Sequence, residues 1–481
     1  MKRYMRTRGA LAAGLVLALS ACEALTDVNQ NPNAPTDVGP EFLLPQSIRS
    51  AAENTWGSFM LLSHTGIWAQ QTVQIQYPDE ERGNVRPGNM QAFWDNYYAG
   101  ALRDVQNVID KGVEDQLPNV EAVGKIWQTW IYSQMTDLWG DIPFSEALQA
   151  DAGITTPVYD SQQAVYAGMI QTLKDAVAKL DPAGDGFGTG DILYGNDFTL
   201  WARFANSLRM RLAMRMSEVS AATAQAEFVA AYNAGGFQSN ADNAMLEWAG
   251  PPYDPPIYEN WQTRDDYGIS RLMVDTLAYL NDPRLEFYAE PATADGAYRG
   301  LQNNIAVPPL SIANYSRIGN FWRADGQGTP TAIMTYSEVL FLQAEAVARA
   351  WIAGNAATLY ENAIRANMNQ YDAWSPANAP TDAEINAYVA QANVVYSNMD
   401  QIHLQKWISL YVNGNEAWAN QRRTDVPDLQ FANDWLHQPN PPVRFAYPAG
   451  EQSLNKANLD AAVQRQGGGL NLLTRIWWDV Q

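Results

Sequence analysis

Among 481 residues there is one cysteine, Cys22. No disulfide can therefore cross-link this chain to itself, and its fold must be held by buried apolar surface and hydrogen bonds. A chain of this length can bury a large core without covalent staples. The place of the cysteine adds a second constraint. It follows Leu19-Ser20-Ala21, a small-residue cleavage site behind a basic start (Lys2, Arg3, Arg6, Arg8) and an apolar run over residues 10–19. That pattern is a secretory signal peptide over residues 1–21, and Leu-Ser-Ala-Cys looks like a bacterial lipobox. The expectation is a mature chain that starts at a lipidated Cys22. The apolar run is shorter than the ~20 residues of a spanning helix. Several acyl chains on one residue, at ~0.8 kcal/mol per buried methylene, suffice to anchor a protein stably.

The formal charge is −21, and removal of residues 1–21, which hold four positive and no negative charges, makes it −25. Such a chain is not drawn to nucleic acid or to anionic headgroups. Residues 22–40 contain Asn29-Gln30-Asn31-Pro32-Asn33-Ala34-Pro35-Thr36, too polar and proline-bearing to fold alone, and read as a leash. Fully extended, residues 23–40 would reach roughly 60 Å. The folded domain is expected over 41–481.

Within it apolar residues recur mostly at helical spacing. Segments 42–71 and 86–110 carry that period around a loop at 72–89, which holds Tyr77-Pro78 and Arg86-Pro87-Gly88. A strong helix over 120–139 is stopped by Gly140 and Pro143, and the next begins near Asp160 with Gln163 three residues on, a capping-box-like start. Asp197 caps a helix over 200–216 whose Arg203, Arg209, Arg211 and Arg215 alternate with apolar positions; in so acidic a chain these are expected to pair with carboxylates across helices. Thr335 to Glu338 opens another helix, followed by one over 356–371 with the small-and-large pattern of a tetratricopeptide-like pair. Thr381 to Glu384 caps a helix through residue 395, and 402–411 with 415–422 make a further pair. The fold class is all-α, a single domain of tetratricopeptide-like helix pairs with long aromatic-rich loops.

Several chemistries are weighed and set aside. Gly186-x-Gly188-x-Gly190 lacks the preceding strand and the last position of a dinucleotide fingerprint. Asp181, Asp185 and Asp191 depart from calcium-loop spacing. The three histidines, His64, His403 and His437, form no metal pair and stand beside no nucleophile motif. Asp79-Glu80-Glu81 and Asp265-Asp266 are the acids nearest aromatic loops, and a glycoside hydrolase would need such a pair, yet adjacent residues point apart. No cofactor, metal or catalytic residue is assigned. Residues 240–330 are different in kind: the helical period weakens, and Trp248, Tyr253, Tyr258, Trp261, Tyr267, Tyr298, Tyr315, Phe321 and Trp322 crowd among prolines and glycines. Long irregular stretches of this sort are functional loops more often than connectors.

Four segments, together with Asn29-Gln30-Asn31-Pro32-Asn33 after the cysteine, carry a resemblance. They are Asp137-Leu138-Trp139-Gly140-Asp141-Ile142-Pro143-Phe144-Ser145-Glu146-Ala147; Trp201-Ala202-Arg203-Phe204-Ala205-Asn206-Ser207-Leu208-Arg209; Tyr336-Ser337-Glu338-Val339-Leu340-Phe341-Leu342-Gln343-Ala344-Glu345-Ala346; and Gln405-Lys406-Trp407-Ile408-Ser409-Leu410-Tyr411-Val412-Asn413-Gly414-Asn415-Glu416-Ala417-Trp418. The chain resembles the SusD/RagB family of nutrient-binding outer-membrane lipoproteins, in its SusD-like branch, over essentially the whole mature length. The resemblance implies an outer-membrane, lipid-anchored protein facing the cell exterior. It also implies a SusC-like TonB-dependent transporter as partner, over which the lipoprotein closes to capture an oligosaccharide or peptide. Family members at the surface often carry an acidic run after the cysteine; here only Glu23 and Asp27 are acidic close by.

For the ligand the expected mechanism is stacking of sugar C–H faces on aromatic rings, with polar side chains on the hydroxyls. The residues expected to do this are Trp68, Tyr77, Tyr258, Trp261 and Trp322, with Arg264 and Asp266 as polar partners. An enzyme and a protein-binding scaffold built on the helix pairs are the alternatives.

Overall fold

Caps and the 3.6-residue period set the elements of the computed structural model, which describes residues 38–305, 311–436, 440–469 and 471–480. The expected signal peptide, Cys22 and residues 23–37 of the leash lie outside the described residues, as does His437. The first helices are α1 (Pro40–Trp56), α2 (Pro87–Asp95), α3 (Arg103–Glu114), α4 (Pro118–Trp139) and α5 (Gln162–Lys179). They are followed by α6 (Phe198–Arg215), α7 (Ala221–Ala234), the short α8 (Pro256–Trp261) and α9 (Arg271–Tyr279). The last third holds α10 (Tyr336–Ala348), α11 (Ala356–Met368), α12 (Asp382–Val389), α13 (Met399–Ser409), α14 (Gly414–Thr424), α15 (Ala449–Leu454) and α16 (Lys456–Arg465). Short strands pair antiparallel two by two: β1 (Thr72–Gln74) with β5 (Tyr267–Ile269), β2 (Ile142–Pro143) with β3 (Tyr159–Asp160), β4 (Ala244–Leu246) with β8 (Thr331–Met334), and β6 (Ala289–Glu290) with β7 (Arg317–Ile318). The protein is mainly α, as expected, and α3–α4, α6–α7, α10–α11 and α13–α14 pack as sequential pairs.

Local chemistry explains most boundaries and corrects some. Asp197 caps α6, accepting from the N–H groups of Thr199 and Leu200 at 2.9 and 3.1 Å. Thr381 and Glu384 form a complete capping box, but α12 ends at Val389, short of the expected 395. At α5 the cap is Ser161 and not Asp160; the Asp160 carboxylate instead accepts from the N–H groups of Phe144 and Ser145. Gly140 ends α4 at φ +83°, where a side chain would be strained. Residues 42–71 are not one helix: after α1, Gly57 leads into a π-helical segment, Ser58–Thr65. In the glycine-rich loop the Asp191 carboxylate accepts from the N–H groups of Leu193, Tyr194 and Asn196 and from the Trp201 indole. The aspartate closes the connector on itself.

The arginine stripe of α6 meets carboxylates from four other helices and one short turn. Arg203 pairs with Asp242 at 3.0 Å and Arg209 with Glu227 at 3.7 Å. Deeper, Arg211 donates through Nε and Nη2 to both oxygens of Glu338 on α10, at 2.7 and 2.6 Å. Arg215 donates to Glu416 on α14, which Lys406 of α13 also reaches at 3.3 Å, and lies 3.4 Å from Asp137 on α4. Arg423 grips both oxygens of Glu345, with Arg349 and His403 alongside. Glu338, Glu345 and Glu416 are all at most 4% exposed. Burial opposes their charges, yet the facing cations hold Glu345 and Glu416 well below the usual carboxylate range. Buried ions of this kind tolerate loss of a partner poorly.

Aromatic side chains fill much of the remaining core. Trp127 stacks on Trp130 at 4.6 Å, and Trp130 on Trp56 at 5.9 Å. His64, fully buried, packs edge-on to Trp68 and Phe93 and donates from Nδ1 to the Phe59 carbonyl at 2.6 Å. Burial lowers its pKa to about 4.

Two outcomes are expected in urea unfolding. Glu416→Gln should lower stability by about 3 kcal/mol, by leaving Arg215 and Lys406 buried with one acceptor fewer, while Lys456→Gln, from an exposed pair with Asp460, should change nothing measurable. His64 stays neutral in the fold but protonates in the unfolded chain below its ordinary value, so its contribution is complete above that value and is lost as pH falls toward 4. Wild type should therefore lose about 3 kcal/mol more than His64→Asn between neutral pH and about pH 4.

Candidate functional site

The β1–β5 ladder sets Gln74 opposite Tyr267 and so draws residues 72–89 onto the irregular middle of the chain. Between this ladder, the end of α1, the π-helical segment, α2 and α8 lies a cavity of about 910 Å³. Its walls are built from separate elements. α1 contributes Glu53 and Asn54, the π-helical segment Phe59 and Ser63, and the turn after β1 Tyr77 and Glu80. α2 and its flanks add Arg86, Asn89 and Asn96; α8 and the residues after it add Glu259, Asn260, Arg264, Asp266 and Tyr267.

Two aromatic faces in this wall are open: Tyr77 is 63% exposed and Phe59 52%. The bend that frees Phe59 requires Gly57, because a Cβ there would stand 2.4 Å from the Glu53 carbonyl oxygen. Tyr77 has φ +57°, an uncommon conformation for a bulky residue that holds its ring away from the core. The polar groups around these rings are tied in pairs. Arg264 lies 5.5 Å from the Tyr77 ring centre and donates to Asp266 at 2.7 Å; Arg86 meets Glu80 at 3.1 Å. The Asn54 amide donates to the Phe93 carbonyl and accepts from Asn96, and Tyr267 and Ser63 share a hydrogen bond of 2.9 Å. Such a site offers flat apolar faces ringed by oriented polar groups.

Of the residues expected to bind ligand, Tyr77, Arg264 and Asp266 stand together in this wall. Tyr258 and Trp261 lie on α8, half-buried, with rings 6.2 Å apart; the neighbouring Glu259 and Asn260 face the cavity instead. Trp261 borders a separate small void and carries the Arg323 guanidinium 5.9 Å above its ring. Two expectations are corrected. Trp68 is 1% exposed, packed against Trp418 at 5.0 Å and Phe445 at 5.5 Å. Trp322 is 4% exposed, enclosed by Phe287, Phe321, Tyr371 and Tyr411. Neither has a free face for a sugar; both are core. Sequence reasoning missed Phe59, Glu53, Asn54, Gln74 and Glu259. The signal available for Phe59 was the Gly57-Ser58 break in an otherwise apolar run.

Of the acids considered for hydrolysis, Glu80 and Asp266 line the cavity, paired with Arg86 and Arg264, while Asp265 and Glu81 are not part of its wall. Asp265 accepts from Arg317 and Arg323. Glu81 is buried behind the cavity and accepts from the N–H groups of Gln74 and Asn304 and the amide of Asn303; burial outweighs these donors and pushes its pKa up to about 8.

A family profile described as starch-binding and associating with the outer membrane matches residues 32–448. The chain belongs to this SusD-like family. A solved structure named a chitin-binding protein superimposes with a TM-score of 0.83 at 30% identity, covering 92% of this chain and 100% of the other. A SusD homologue from Bacteroides fragilis gives 0.79 at 25% identity, covering 92% and 99%. A chitin-binding SusD homologue from Flavobacterium johnsoniae gives 0.78 at 25% identity, covering 91% and 99%. No curated protein matches the sequence significantly. Among the described residues of this SusD-like chain no helix is long and apolar enough to cross a membrane.

Because Glu81 gathers three donors from β1 and residues 303–304, Glu81→Ala should leave buried N–H groups unpaired. A loss of about 3 kcal/mol is expected in thermal or urea unfolding.

Proposed function

We propose that this SusD-like protein is a lipoprotein, anchored through Cys22 and facing the cell exterior, that captures an oligosaccharide in the 910 Å³ cavity and delivers it to a SusC-like TonB-dependent transporter. One observation carries the reading: two exposed rings, Phe59 and Tyr77, share a polar-walled cavity large enough for several sugar units. The family description, and the chitin-binding names of two structural relatives, support a sugar over a peptide. A leash at residues 22–40 suits a body that must rise from a transporter mouth and close on it, since opening needs slack at the membrane end. Tyr258 and Trp261, on the same short helix as Glu259 and Asn260, are retained in the proposed site as ligand contacts outside the cavity wall.

Binding is tested by calorimetry against starch fragments, chitin fragments and peptide digests, with each mixture then assayed for cleavage. Saturable binding to an oligosaccharide without cleavage is expected. Phe59→Ala with Tyr77→Ala should weaken it at least about tenfold at an unchanged melting temperature. Peptide binding alone, or release of shorter products, would overturn the proposal.

A further inference from the structure

The cavity wall carries more negative than positive charge. Four carboxylates line it, Glu53, Glu80, Glu259 and Asp266, against two guanidinium groups, Arg86 and Arg264. Both arginines are engaged, Arg86 by Glu80 and Arg264 by Asp266. Glu53 and Glu259 have no ion-pair or hydrogen-bond partner among the described residues, and both are exposed to the cavity. A second, independent observation concerns Gln74, which lines the same cavity and is only 3% exposed. Its Nε2 is directed to Glu80, which must receive a donor, so Oε1 is the free end, and that oxygen has no partner among the described residues. The unfilled acceptors are this buried oxygen and the two open carboxylates, and the carboxylates call for a charged donor.

A ring hydroxyl donates one hydrogen bond and carries no charge. An ammonium donates three and accepts none. Only the second compensates two unpaired carboxylates while donating to them.

We propose that the cavity selects oligosaccharides bearing free amino groups, of the kind left when chitin fragments lose acetyl groups, and that Glu53 and Glu259 set this preference. The proposal rests on the cavity being the sugar site. An N-acetylated unit presents a neutral amide at the same ring position and leaves both carboxylates uncompensated. Consistent with this, burial and the Glu259 charge both push the Glu53 pKa up, opposed by Arg49 on the same helix. A cation seated between the carboxylates removes that repulsion.

The test compares the full-length protein with its Glu53→Gln/Glu259→Gln variant. Calorimetry is run at mildly acidic pH, where sugar amines are protonated, with glucosamine oligomers, N-acetylglucosamine oligomers, starch fragments and a lysine-rich peptide. Both residues are exposed and unpaired, so the variant is expected to fold. In wild type the glucosamine oligomers should bind at least about tenfold tighter than their N-acetylated counterparts, and this ratio should shrink with added salt. In the variant it should fall toward one. Equal affinities in wild type, or a ratio that survives the double substitution, would overturn the proposal while leaving the cavity as a sugar site. Binding of no oligosaccharide would remove the sugar site itself. Tighter binding of the peptide than of any sugar would replace the amino sugar with a cationic peptide as occupant.

Discussion

Glu416 is a carboxylate deep in a helical protein with Arg211, Arg215 and Lys406 around it, and the positions of three helices depend on those bonds. With Asp137, Glu338 and Glu345 it connects α4, α6, α10, α13 and α14 through charges that have no water to retreat to. Apolar packing alone would allow neighbouring helices to slide by a turn with modest loss. A buried bidentate pair such as Arg211 with Glu338 does not, because one wrong turn strands two ions in a low-dielectric interior. Three of the four segments that carry the resemblance contain members of this network, and the second ends just ahead of it. Asp137 lies in the first, Arg209 closes the second just ahead of Arg211 and Arg215, Glu338 and Glu345 lie in the third, and Lys406 and Glu416 in the fourth.

The cavity lies to one side of this frame and is assembled differently. No single helix builds it. A widened helical turn exposes Phe59, a left-handed residue exposes Tyr77, and a three-residue ladder ties the turn to residues nearly two hundred positions away. Each is a departure from regular structure, sustained by the rigid helices behind it. Glu81, bonded to β1 and to Asn303 and Asn304, is the internal tie that holds this wall to the body.

Legibility of the sequence followed the range of the interactions. The helix pairs, the Asp197 cap, the Thr381 box and the pairing of the arginine stripe were readable, since a cap or a period spans a few residues and an acidic chain leaves few other fates for buried arginines. Trp68 and Trp322 were misread because an indole looks the same in sequence whether its faces meet Trp418 or a sugar. Glu338 opens its helix as a capping box would, yet its side chain turns inward to Arg211, a choice made by a helix far along the chain. Phe59 and Glu259 lay hidden for the same reason: exposure is a property of what packs nearby.

By itself the sequence determined a mainly helical chain with no disulfide within it, a strongly acidic net charge and membership of the SusD-like family, because composition, caps, periodicity and short signatures act locally along the chain. The tertiary structure decided which aromatics are core and which are open, which charges cancel, and that Glu53, Gln74, Tyr77 and Glu259 share one cavity. Those outcomes depend on residues brought together from α1, β1 and α8 by packing, and separation along the chain carries no record of such meetings.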